Sequence, residues 1–193
     1  MRLRCYYSTL ERCKTERQGT TAIKSLSEYI GQQLQWVHPH LLKSEYELRA
    51  GDELLARIYS KGVFSSQVYV ETADGHWMIE RKGLHQTIRV HLPETDTELA
   101  TINREGSDQA TLVFPDGREY RWQRTSFWHD DWTWLNNEGT PMFHVKRGGH
   151  IQLEPAAQGL PELALLITLG WYLHKQQEKE AATIAASVPV VMG

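Results

Sequence analysis

The sequence predicts a mainly β (α+β) protein, a closed antiparallel barrel of roughly a dozen strands around a buried C-terminal hydrophobic helix. Three observations carry this expectation. From residue 45 onward, short runs of period two are separated by turn residues about every 8–12 positions, the pattern of a sandwich or barrel. Asp74-Gly75 and Asp116-Gly117 fall between alternating runs, where a hairpin turn needs positive φ. Near the C-terminus, apolar residues cover every side of one helix, so that helix must be enclosed.

The elements follow in chain order. Residues 1–33 read as a basic arm: residues 1–44 hold seven Lys/Arg and three Asp/Glu, while the rest holds fourteen and twenty-one. Within the arm, Ile23, Leu26, Ile30 and Leu34 share one helical face, which predicts a short amphipathic helix over Thr21 to Trp36, ended by Pro39. Cys5 and Cys13 are the only cysteines, lie in this polar leader and read as free thiols. The leader has no apolar stretch of signal-peptide type, so a cytoplasmic location is expected.

Residues 34–185 form the predicted barrel domain. Its strands are EYELRA, ELLARIYS, SQVYVET, HWMIER, HQTIRVHL, TELATINR, QATLVF, REYRWQR, DWTWLN, PMFHVKR and HIQLEP, about eleven runs in all. Alternation is clean in several: Ile88, Val90 and Leu92 share one face, and Tyr120 and Trp122 lie opposite Arg121. One apolar and one polar face per strand argues for antiparallel pairing. No sequence repeat marks a propeller or solenoid.

The helix is expected near residues 160–176. Pro161-Glu162 opens it, and Leu163 to Leu173 (LALLITLGWYL) are apolar nearly throughout. Eleven such residues are too few to span a bilayer, which takes about twenty. The remaining enclosure is the sheet itself: eight strands are filled by side chains alone, whereas a dozen can surround a helix. HKQQEKE then reads as an exit into solvent, and residues 186–193 as a tail.

These residues also resemble a known family. YELRAGDELLARI at the head of the strands, the short amphipathic strands, the Trp-rich late hairpin and LITLGWYL are similar to the tubby-like superfamily. That group includes tubby C-terminal domains, LURP-one-related proteins and phospholipid scramblases, and the likeness, to a small bacterial-type member, covers about residues 34–176. It implies twelve strands closed around a central C-terminal helix. For function it implies binding, with phosphoinositide headgroups held on a basic surface as in tubby domains.

Catalytic motifs are sparse. The chain lacks a GxSxG elbow, a GxGxxG turn, a P-loop, an HExxH helix and an EF-hand loop. With the lumen taken by a helix, the usual barrel site is occupied, and a non-enzymatic binding or scaffold role without a cofactor is expected. Its partner would be another protein or an anionic lipid surface. A net charge of −3 argues against a nucleic-acid surface. Arg118, Arg121, Arg124, Lys146 and Arg147 are the candidate contacts for lipid headgroups, which would hold the protein at the inner membrane surface. A third reading is a metal-dependent hydrolase built on His129, Asp130 and Asp131, where a histidine adjoins two carboxylates.

Overall fold

The structure is a computed structural model and describes residues 22–40, 44–60, 66–81, 87–126, 128 and 130–187. Cys5, Cys13 and His129 lie outside the described residues. Twelve strands, β1 (Leu34–Val37), β2 (Glu45–Ala50), β3 (Glu53–Tyr59), β4 (Gln67–Thr72), β5 (Gly75–Arg81), β6 (Thr87–His91), β7 (Glu98–Arg104), β8 (Gln109–Val113), β9 (Glu119–Ser126), β10 (Asp131–Leu135), β11 (Pro141–Val145) and β12 (His150–Leu153), precede one long helix, α1 (Leu163–Ser187). Each strand pairs antiparallel with its neighbours in sequence, and β1 closes the barrel against β12. The predicted fold is therefore the observed one.

The lumen is a packed core. Alternate residues point inward, among them Leu48, Ile58, Val70, Ile79, Val90, Ile102, Leu112 and Trp122, all buried. Twelve consecutive residues of α1, from Leu163 to His174, are buried inside them. Trp122 stacks on Trp132 at 5.5 Å and tilts against Trp134 at 5.3 Å, so the late tryptophans fill the barrel wall from within. Gly170 fits the helix to this wall. A Cβ there would stand 2.9 Å from Trp134 Nε1 and 3.1 Å from Trp122 Cζ3, closer than side-chain atoms pack.

Two readings of the sequence need correction. The helix expected over residues 21–36 is absent from its described part: Leu26–Tyr29 form a 3-10 turn, Gly31 takes φ 89°, and Leu34–Val37 form β1. Leu34 fits a helical face with Ile30 and a strand face with Trp36, and pairing with β2 and β12 decides the matter by closing the barrel. The eleven runs read from sequence are β2 to β12; β1 is the missing twelfth. The C-terminal helix also continues to Ser187 rather than ending near residue 176, since a polar stretch without Gly or Pro does not stop a helix.

The barrel has two distinct ends. At the base, where α1 enters, buried Leu26 joins the core and Lys24 N–H donates to the Leu54 carbonyl at 2.8 Å, so residues 22–33 pack against the barrel there. At the mouth, where α1 leaves, Arg104 at the end of β7 forms a two-bond pair with Glu180 at 2.6 and 2.8 Å. Gln177 Nε2 donates to the Ser107 carbonyl at 2.8 Å. These contacts fix the angle at which the helix emerges.

Candidate ligand site at the barrel mouth

Because the helix occupies the lumen, the chemistry gathers where it emerges. A cleft of about 100 Å³ lies between α1 and strands β2 to β4, lined by Tyr46, Ile58, Tyr59, Trp171, Lys175 and Lys179 among others. Drug-sized ligands need roughly 300–1,000 Å³, so this cleft suits a single small group or one ring. Tyr46 packs edge-on to Trp171 at 5.5 Å, and Trp171 stacks on Trp36 at 5.6 Å. Lys175 Nζ sits 5.6 Å from the Tyr46 ring and 5.2 Å from the Trp171 ring, within cation–π range. Lys175 also pairs with Glu178. Lys179, one helical turn on, has no ion-pair partner among the described residues. Tyr59 donates to Glu71 Oε1 at 2.9 Å; burial, then that bond, pushes its phenol up to about 12.

On another side of the helix, His174, Asp130 and Glu178 meet. His174 Nε2 is 3.3 Å from Glu178 Oε1 and 3.9 Å from Asp130 Oδ2. Burial lowers the imidazole from its ordinary value, against the pull of the nearby Glu178 and Asp130 charges, and so favours the neutral ring. Asp130 takes φ 53° in the β9–β10 turn, a left-handed conformation that Asp tolerates better than most residues.

The five basic residues read from sequence do not form one patch. Arg118 is at the base, bound to Asp116 at 2.7 Å and to Glu162, with its guanidinium 4.8 Å from the Phe114 ring. Arg124 is at the mouth, 4.7 Å over Trp132 and within 3.6 Å of Asp108 and Asp130. Six residues of strand separate the two, roughly 20 Å. Arg121 is exposed on the outer face, opposite Thr111 and Leu135. Lys146 and Arg147 lie in the β11–β12 turn; the pairing of Arg124 with Trp132 and of Trp132 with Val145 places them at the same end as Arg124. Asp130 joins the histidine cluster, whereas Asp131 begins β10, paired with Ser126.

Sequence reading passed over His174, Lys175, Glu178 and Lys179, because a polar stretch after a buried one looks like plain solvent exposure. The available signal was the spacing of four between His174 and Glu178, which puts both on one helical face. No protein-family model, no curated protein and no solved structure matches the chain. The likeness to tubby-like proteins accordingly rests on sequence pattern alone.

Proposed function

We propose that this is a non-enzymatic binding protein that takes a small anionic group, carboxylate or phosphate, on an apolar stem at the cleft of the barrel mouth. The observation that carries the reading is Lys179, a cation with no ion-pair partner among the described residues, on the rim of a cleft lined by Tyr46 and Trp171. Aromatic rings take the stem, and the ammonium groups of Lys175 and Lys179 take the charge. The filled lumen supports binding rather than turnover, since α1 occupies the interior in which a barrel would otherwise shield a reaction from water. In this reading the chain is a tubby-like barrel working in the cytoplasm.

The test is thermal shift and calorimetry with inorganic phosphate, medium-chain fatty acids and aromatic carboxylates, because a ligand preferring the folded state raises the melting temperature. Stabilisation by at least one acid, lost in Lys179→Glu, is the expected result. No response to any of them, or a response unchanged in Lys179→Glu, overturns the reading.

A second reading is peripheral binding to anionic phospholipids. It is favoured by Trp128, 89% exposed in the β9–β10 turn at the same end as Lys146 and Arg147. Trp suits the membrane interface, and each cation near an anionic surface adds about 1 kcal/mol. Sedimentation with phosphatidylserine vesicles at low salt, reduced by Trp128→Ala, separates this reading from the first.

A further inference from the structure

We infer that Asp130, His174 and Glu178 form a binding site for a divalent transition-metal ion, with Zn²⁺ the ion they fit best. One ligand atom from each residue converges, and all three lie within 4.8 Å of one another. Tetrahedral zinc with bonds of about 2.0–2.2 Å holds neighbouring ligand atoms roughly 3.3–3.6 Å apart. The His174–Glu178 edge, at 3.3 Å, already has that length, and the His174–Asp130 edge, at 3.9 Å, needs a closure of a few tenths of an ångström.

Two independent features point to a ligand. His174 is only 2% exposed, and its Nε2 is aimed between the two carboxylates; Nδ1, on the other edge of the ring, has no hydrogen-bond partner among the described residues. Buried imidazoles ordinarily have their nitrogens engaged. The carboxylates, in turn, are each held from outside the cluster through one oxygen among the described residues. Asp130 Oδ1 accepts from Trp132 Nε1 at 3.0 Å and lies 3.6 Å from Arg124 Nη2. Glu178 Oε2 is taken by Lys175. The other oxygens, Asp130 Oδ2 and Glu178 Oε1, turn toward His174. Outer donors that orient ligating carboxylates in this way are a regular part of metal sites.

The donor set chooses the ion. Ca²⁺ takes six to eight oxygens and Mg²⁺ an octahedron of oxygens, whereas one imidazole nitrogen with two carboxylate oxygens suits Zn²⁺. Arg124 and Lys175 already offset the carboxylate charges, and among the described residues His174 Nδ1 lacks the outer partner whose loss typically costs 10–100-fold in affinity. Binding is therefore weaker than at a structural zinc centre. The ion would join α1 to the β9–β10 turn across the mouth and keep a fourth position open to water.

The experiment uses the full chain freed of metal with a chelator. ZnCl₂ is titrated by calorimetry and CoCl₂ by visible absorption, on the native protein and on Asp130→Asn and Glu178→Gln. Asn tolerates the left-handed backbone at position 130, and Glu178 is an exposed helix residue, so both variants fold; circular dichroism melting without metal checks this. The expected result is one Zn²⁺ per chain, a zinc-dependent rise in melting temperature, tetrahedral-type cobalt bands, and an affinity at least about tenfold weaker in each variant. Absence of zinc binding by the native chain at submillimolar metal overturns the site. So does an affinity unchanged in either variant, which would place the zinc on others of the nine histidines.

Discussion

The Tyr120 hydroxyl donates to Glu162 Oε1 at 2.6 Å, inside the base of the barrel. Arg118 donates to the same oxygen, so one carboxylate just ahead of α1 collects a phenol and a guanidinium from the head of β9. This contact anchors the start of the lumen helix to the wall. Glu162→Ala leaves the Tyr120 hydroxyl buried without its acceptor and should cost about 2 kcal/mol, in the range for hydrogen bonds to charged groups. Tyr120→Phe should cost less, because Arg118 still donates to Glu162 Oε1. Urea unfolding of both variants checks the order; equal stability of Glu162→Ala and the native chain would show that the anchor contributes nothing.

Gly170 is the tightest point of the helix–wall contact. Gly170→Ala gains helix propensity but drives a methyl into Trp134 and Trp122, at 2.9 and 3.1 Å. Overpacking a full core costs roughly 1–3 kcal/mol, more than the ~1 kcal/mol gained from propensity. A lowered melting temperature is the expected outcome, and a raised one would mean that the tryptophans yield freely.

Leu166 is fully buried on the helix inside the barrel. Leu166→Asp puts an unpaired charge there and should cost several kcal/mol, enough to abolish cooperative melting. Ending the chain at residue 159 should do the same, by emptying the lumen. Circular dichroism of either variant reads this directly, and a sharp transition after truncation would contradict the packing described.

Alkaline pH should loosen the fold. The Tyr59 phenol is raised from its ordinary value of 10.0 to about 12, by burial first and by the bond to Glu71 second. A group whose folded pKa is raised contributes stability that is complete below its unfolded pKa and is lost as pH rises through the folded one. Tyr120 and Tyr172 are shifted in the same direction, burial again leading. The melting temperature should therefore fall between about pH 10 and 12, and ultraviolet titration should show tyrosinate forming late. Tyr59→Phe should remove one late-titrating group; an unchanged titration curve would refute the assignment.

The strands were legible because each carries its own information. Period-two alternation bounded by Gly75, Gly117 and Gly139 needs no distant partner to be read, and these glycines take the positive φ that such turns require. What stayed hidden is the part defined by distant pairing. β1 is four residues long, and its strand character comes from β2 and β12. The charges behaved likewise. The arginines were visible, but their partners were not: Arg118 meets Glu162 across 44 residues and Arg104 meets Glu180 across 76. Composition reveals that a cation exists; the fold decides whether it is already spent.

The seam between β1 and β12 also governs how the chain folds. Every other strand pair joins neighbours in sequence, so eleven hairpin contacts can form locally, one after another. Closure is different: Gln35 faces His150 across 115 residues, and the seam is held by short strands at both sides. The entropy of closing so long a loop is overcome only once the meander has curled around the helix that follows β12 in sequence. The cylinder is thus fastened last along this line. By the same reasoning it opens there first, and amide exchange at Gln35 and Ile151 should outrun that at Ile79 or Ile102 in the far wall.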